Sequence, residues 1–103
     1  MPGFYVKLHE SFAGNRVLAV SDSDILGKEI EDSDLGLFIK ISEEFYGGES
    51  VSREEALNRI RASDNVNVIG TRIVDAMIEE RIIDSKSVTT INGVKHAQVY
   101  RIN

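Results

Sequence analysis

Two short segments carry the residues best suited to chemistry. EEFYGGES places Tyr46 before the pair Gly47-Gly48, and VKHAQVYRI places His96 two residues before Gln98. A glycine pair can adopt backbone angles that align consecutive amides around an anion, and histidine titrates near neutral pH. These properties allow an enzyme in which His96 is the general acid or base and the glycine amides hold an oxyanion or phosphate.

The same residues also suit a binding surface without catalysis. Tyr46 would offer an aromatic platform, the glycines would allow a partner to approach closely, and the last strand would supply polar side chains. We therefore predict a binding site formed by Tyr46, Gly47, Gly48, His96 and Gln98. The simpler alternative is a plain turn at the glycines and a structural histidine. The alternation of the last strand leaves open whether its His96 face is buried or exposed.

The sequence predicts neither a metal centre nor a cofactor. It has no cysteine, and His9 and His96 lack the short spacing that preorganises a zinc site. The acidic segments 21–24 and 29–34 lack the ligand frame of a calcium loop. Glycine motifs for phosphates or dinucleotides are absent from the sequence as well.

The net charge of -5 is unevenly distributed along the chain. Residues 1–50 contain ten acidic and four basic residues, whereas residues 51–103 contain seven acidic and eight basic residues. Non-specific attraction to nucleic acid requires an excess of Lys and Arg, so we expect no bulk nucleic-acid binding. Contact with an RNA backbone would have to use arginines of the second half, such as Arg53, Arg59 or Arg61.

Hydrophobic periodicity divides the chain into strands and two helices. Strands are predicted at 4–10, 16–22 and 35–41, and the last of these is apolar enough to lie at the centre of the sheet. The Ser- and Asp-rich segment 21–34 is predicted to form turns, with a short helical turn around 25–28.

Two consecutive helices are predicted next. Ser52 and Glu55 form a capping box that starts a helix over 52–62. Apolar spacings of three and four predict a second helix over 66–83, within which Gly70 would allow close backbone approach.

The chain ends in a predicted β-hairpin around Asn92-Gly93, the pair best suited to a type I′ turn. The element order indicates an α+β fold, with a mainly antiparallel sheet, two consecutive helices packed on one face and a C-terminal β-hairpin, in a single domain over 1–103. Helix, turn, helix and hairpin also fit a winged helix, which would bind nucleic acid. Acidic residues on the second helix argue against that alternative.

The chain contains no apolar run of membrane-spanning length, and its N-terminus does not have the pattern of a signal peptide. We expect a soluble, cytoplasmic protein without a membrane partner.

Four segments, LGK (26–28), FYGGE (45–49), NVIGTRIVDAMI (67–78) and INGVKHAQVYRI (91–102), resemble in order and spacing the archaeal family called domain of unknown function 424. The resemblance covers nearly the whole chain. It implies a small stand-alone archaeal protein without an established activity, associated with translation and RNA-processing genes. Its pairing of the double-glycine segment with the H-A-Q strand favours one shared surface. Proline often stands in the family where this chain has Lys95.

Three hypotheses follow from these patterns. The leading one is a small cytoplasmic binding module that contacts a protein or structured RNA near the translation machinery. The second is a small enzyme with His96 as acid or base and an anion-binding loop at Gly47-Gly48. The third is a homodimer formed through an open sheet edge.

Overall fold

The computed structural model describes residues 3–101. Within these residues, three α-helices lie at Glu43–Tyr46 (α1), Arg53–Arg61 (α2) and Thr71–Glu79 (α3). The strands lie at Phe4–Glu10 (β1), Arg16–Asp22 (β2), Glu29–Asp32 (β3), Leu37–Lys40 (β4), Glu49–Val51 (β5), Asn65–Ile69 (β6), Thr89–Ile91 (β7) and Val94–Tyr100 (β8). The predicted α+β class is confirmed. The last strand was predicted to reach residue 102, which lies outside the described residues.

Six of the strands form one sheet in the order β5-β1-β2-β6-β8-β7. Neighbouring strands are antiparallel except for β2 and β6, which run parallel at the centre. The remaining two strands, β3 and β4, form a separate antiparallel hairpin. The predicted mainly antiparallel sheet and C-terminal hairpin are both present. Asn92 and Gly93 both have positive φ, 45° and 83°, as a type I′ turn requires.

The sheet has two differently covered faces. Helices α2 and α3 pack on one face, which we call the helix face, around a core that includes Val6, Val20, Val66, Val68 and Ala97. The opposite face, which we call the open face, is covered only in part. There the β3–β4 hairpin and α1 pack through Ile30, Ile41 and Tyr46 against Ala19, Ile69 and Ile91. The rest of the open face is available for contact.

The predicted helix over 66–83 is wrong in its first third. Residues 65–69 form β6, the central strand, and α3 begins only after Gly70. Val66 and Val68 are fully buried under the helices, and Ile69 is fully buried on the opposite face under the β3–β4 hairpin and α1. Apolar residues at a buried strand also satisfy helical spacing, so periodicity alone did not separate the two structures. With β6 between α2 and α3, the winged-helix alternative is also wrong.

The predicted central strand at 35–41 is wrong in its location. Residues 37–40 form β4, which pairs with β3 in the outlying hairpin. Segment 29–32, predicted as a turn, supplies that partner strand. Only the inner side of the hairpin is used for packing, where Ile30 pairs with Ile39. The helical turn predicted around 25–28 lies at 23–25, and β5 was not predicted.

The start of α2 agrees with its sequence signal. Ser52 Oγ accepts a hydrogen bond from Glu55 N at 3.1 Å, as the capping box predicts. The Glu55 carboxylate bonds Arg59 at 2.7 Å instead of returning to Ser52. None of the described helices is long and apolar enough to cross a membrane.

The N-terminus of α3 is capped by a residue from another strand. Asp22, at the end of β2 and only 3% exposed, accepts hydrogen bonds from Arg72 N and Ile73 N, both at 2.9 Å. These amides belong to the first turn of α3, where backbone donors have no helical partner. Burial raises the pKa of Asp22, and the two amides and the Arg72 guanidinium partly offset this. Gly70, with φ of 131°, leaves room for the carboxylate, since a Cβ there would lie 2.6 Å from Asp22 Oδ1.

We expect Asp22→Ala to lower the free energy of unfolding by about 2 to 4 kcal/mol, because it leaves two buried amide donors unpaired. Urea unfolding at pH 7 measures the effect. Asp24→Ala is the matched control, since Asp24 pairs with the same Arg72 at 3.1 Å but is exposed. It should cost less than about 1 kcal/mol. Equal losses in the two variants would contradict a capping role for Asp22.

A candidate binding surface on the open sheet face

Polar side chains occupy the uncovered part of the open face. Asn67 on β6 lies opposite Gln98 on β8 in the strand register, and Tyr100 follows two residues later on the same face. His96 Nε2 lies 3.2 Å from Asn67 Oδ1, so its ring is on this face as well. The next residue, Ala97, is buried on the helix face. The question about the last strand is therefore resolved: its His96 face is partly exposed and carries polar groups.

Asn67 joins two of the predicted site residues. Its Oδ1 accepts a hydrogen bond from the Tyr46 hydroxyl at 2.7 Å and one from His96 Nε2. Because Asn67 Oδ1 can only accept, the His96 proton is on Nε2 and Nδ1 is left as an acceptor. Asn67 is the residue of this network that the sequence interpretation missed. The alternation of polar and apolar residues in NVNVI was the available signal, but the segment was assigned to a helix.

Burial keeps the polar groups of this network uncharged. It lowers the pKa of His96, which favours the neutral imidazole at pH 7, and it raises the pKa of Tyr46 to about 12. The surface therefore offers hydrogen-bond donors and acceptors without a net charge of its own.

Tyr46 does not provide the predicted aromatic platform, since its ring is only 6% exposed. It packs edge-on against Phe45, with ring centroids 4.8 Å apart. Phe45 in turn stacks on His9 at 4.7 Å, and His9 Nε2 donates to the Phe45 carbonyl at 2.8 Å. These contacts attach α1 to β1 and β6. The strongly exposed aromatic ring of this face is Tyr100, at 70%.

Gly47 and Gly48 do not form an anion-binding loop. Gly47 N donates to the Glu43 carbonyl at 2.8 Å, Gly48 N donates to the Tyr46 carbonyl at 3.0 Å, and neither glycine has positive φ. Both glycines instead allow tight packing. A Cβ on Gly48 would collide with the Val6 carbonyl oxygen of β1. The glycine pair therefore sets how closely the turn before β5 approaches the sheet.

The predicted site residues are thus only partly brought together. Tyr46, His96 and Gln98 meet around Asn67, whereas Gly47 packs against Glu43 of α1 and Gly48 packs against β1.

The three arginines considered for RNA contact lie on α2, on the helix side of the sheet. Arg59 pairs with Glu49 and Glu55 at 2.9 and 2.7 Å. Arg61 pairs with Glu80 at 3.0 Å, and Arg53 lies 3.8 Å from Glu79. These cations are neutralised within the molecule and cannot reach a ligand on the open face.

A cleft of about 830 Å³ lies beside Tyr100, at the edge of the sheet where β6 begins and β8 ends. Its arginines are engaged internally. Arg16 pairs with Glu10 at 2.9 Å, and Arg101 Nη1 donates to three main-chain carbonyls around the end of α2. The cleft therefore suits a neutral side chain better than an anion. Among residues 3–101, no three His, Asp or Glu side chains are grouped to hold a metal ion.

Both predicted site segments lie within a stretch that matches a known family. The family described as protein of unknown function (DUF424) matches residues 10–102. The chain belongs to this family. The resemblance noted in the sequence is therefore confirmed, and it extends over most of the described fold.

A solved relative supports the architecture of this DUF424 protein. The crystal structure of an uncharacterized conserved protein from Methanopyrus kandleri is similar, with a TM-score of 0.77 and 25% sequence identity. The match covers 97% of this chain and 95% of that chain. The search of curated proteins finds no match. These comparisons establish a small uncharacterised protein with a shared fold.

We expect Gly48→Ala to destabilise this DUF424 protein by about 1 to 3 kcal/mol, because its Cβ would collide with the backbone of β1. Thermal and urea unfolding measure the change. In the control Gly3→Ala, the new Cβ meets only the flexible end of the Arg72 side chain, at 3.1 Å. That change should stay within about 0.5 kcal/mol. Unchanged stability in Gly48→Ala would show that the glycine is not needed for packing.

The lowered pKa of His96 predicts a pH-dependent loss of stability. As pH falls below about 6.5, the unfolded chain takes up a proton on His96 before the folded chain does. Stability from this group is therefore present above pH 6.5 and is lost as pH falls toward the folded pKa. His96→Gln keeps an amide donor but cannot titrate, so the variant should lose less stability than the wild type between pH 7.5 and 5. Parallel unfolding curves across that range would contradict this expectation.

Proposed function

We propose that this DUF424 protein is a small binding module that recognises a partner protein through the open face of β6 and β8. The observation that carries the proposal is the row of uncharged polar groups beside the exposed ring of Tyr100. On the family resemblance alone, the proposal places this activity in the cytoplasm near the translation machinery.

The chemistry of the surface suits protein recognition. His96 Nδ1, the Asn67 amide and the Gln98 side chain offer hydrogen bonds, and Tyr100 offers a large ring with few rotatable bonds. Tyrosine is enriched in interfaces and among the residues that contribute most to binding. Neutral polar groups around one aromatic ring match the composition of a transient interface.

Main-chain groups at the sheet edge add a second mode of contact. The Lys95 carbonyl and the Arg101 amide form hydrogen bonds on the β6 side of β8. Main-chain groups alternate in direction along a strand, so those of Gln98 and Tyr100 point to the opposite side. There β7 ends opposite His96, and no described residue pairs with them. An extended partner segment could therefore add to this edge.

Protein contact is favoured over structured RNA by the location of the positive charges. Backbone neutralisation was assigned to Arg53, Arg59 and Arg61, which lie on the other side of the sheet in ion pairs. RNA binding relies on phosphate contacts as well as on stacking. The enzyme alternative is disfavoured for a separate reason, because both amides of its anion-binding loop are already hydrogen-bonded.

Capture from archaeal extract, with ribonuclease-treated and untreated samples, identifies the partner, and calorimetry then measures its affinity. Tyr100→Ala should weaken binding at least about tenfold while leaving the melting temperature almost unchanged. Phe12→Ala is the matched control, since Phe12 is a fully exposed aromatic residue outside the open face. Retention of RNA alone, or equal losses in both variants, would refute protein binding at this face.

A further inference from the structure

The outer side of the β3–β4 hairpin is an exposed apolar surface that the fold does not use. Since Ile30 and Ile39 pair on the inner side, Glu31 and its cross-strand partner Phe38 point outward. Phe38 is 62% exposed, and Leu35, in the turn beside it, is 50% exposed. Leu37 is 39% exposed but lies on the inner side with Ile39. None of these three belongs to the core clusters formed by the described residues. Contiguous exposed apolar side chains commonly mark interaction sites.

The hairpin holds this surface in a defined geometry. Asp32 accepts hydrogen bonds from Leu35 N at 3.1 Å and from Asn92 N of the β7–β8 turn at 2.8 Å. These two amides lower the pKa of Asp32, so its carboxylate stays ionised and bonded. The turn is thereby attached to the main sheet. A preformed surface loses less conformational entropy on binding than a flexible one.

Negative charge surrounds the apolar residues. Segment 29–40 contains four acidic residues and one basic residue, which accounts for more than half of the net charge of the chain. Glu29, Glu31 and Asp34 form no ion pair with any described residue. The arginines of α2, in contrast, are paired within the molecule. Lys40 lies opposite Glu29 on this side without forming an ion pair to any residue from 3 to 101, and the carboxylates outnumber it. An excess of carboxylates beside an apolar surface attracts a partner with Lys or Arg around an apolar contact.

We propose that the outer side of the β3–β4 hairpin docks a basic protein segment. Phe38 and Leu35 contact its apolar residues, and Glu29, Glu31 and Asp34 pair with its Lys or Arg side chains. The charge of the hairpin opposes the other occupants. Nucleic acid and anionic lipid surfaces would be repelled, and a second copy would bring the same carboxylates face to face. This surface is separate from the row around Tyr100, so the proposal does not depend on binding at the open face.

The test uses a displayed library of random 12-residue peptides, selected on the full chain and depleted on Phe38→Ser. The recovered peptides should carry aromatic or aliphatic residues flanked by Lys or Arg. Synthetic copies, labelled for fluorescence anisotropy, should bind Phe38→Ser at least about tenfold more weakly than wild type. Phe12→Ser, another exposed phenylalanine outside the hairpin, should bind them normally.

A charge-reversal pair separates local attraction from net charge. Glu31→Lys should weaken peptide binding several-fold and reduce its salt dependence. Glu54→Lys is an equal change in net charge at an exposed position on α2, and it should have little effect. Equal losses in both variants would overturn the proposal, as would selected peptides that are acidic or unaffected by Phe38→Ser.

Three further results would also overturn the proposal. The first is a dimer in light scattering that Phe38→Ser dissociates. The other two are binding of RNA and binding of anionic vesicles, where either depends on Phe38. Peptide binding that persists in Tyr100→Ala would separate this surface from the open face. If the hairpin does not bind basic peptides, the proposed function of the open face is unaffected. If the open face binds no partner, the proposal for the hairpin is unaffected.

Discussion

The buried carboxylate of Asp22 determines how the two halves of the chain meet. It lies at the end of β2 and bonds two amides in the first turn of α3, at the point where β6 has just ended. Gly70 connects β6 to α3 and leaves the space that the carboxylate occupies. An aspartate at a helix N-terminus is favoured both by hydrogen bonding and by the helix dipole. Because β2 and β6 are parallel neighbours, this one contact fixes strand pairing and helix position together.

The location of the polar surface follows from that arrangement. Since β6 lies beside β2 and successive side chains of a strand point to opposite faces, Val66 and Val68 lie on the helix face and Asn67 lies on the open face. Asn67 then accepts from Tyr46, which attaches α1 to the centre of the sheet, and from His96 on β8. Burying polar groups is unfavourable unless they are hydrogen-bonded, and here they satisfy one another. The same network therefore stabilises the coverage of the open face and orients the groups that remain exposed beside it.

Local signals in the sequence were sufficient where structure is determined locally. The strands β1 and β2, the Ser52 cap and the Asn92-Gly93 turn each depend on residues close in the chain, and all were predicted. The central strand β6 was not, because its pairing with β2 depends on contacts across more than forty residues and its apolar positions also satisfy a helical period. The site was predicted only in part for the same reason. Tyr46, His96 and Gln98 were selected by residue type, but Asn67 could be placed between them only once β6 was known.

The surfaces of the molecule differ in how their charges are paired. The arginines of α2 form ion pairs within the molecule, which makes their charge less available to phosphates even though the second half of the chain is slightly basic. The polar row around Asn67 is kept uncharged by burial, which suppresses the charged form of His96. The β3–β4 hairpin has exposed apolar side chains beside carboxylates that form no ion pair with another described residue. Net charge alone would not have separated a neutral surface from an acidic one, because that distinction depends on which charges are paired in the folded chain.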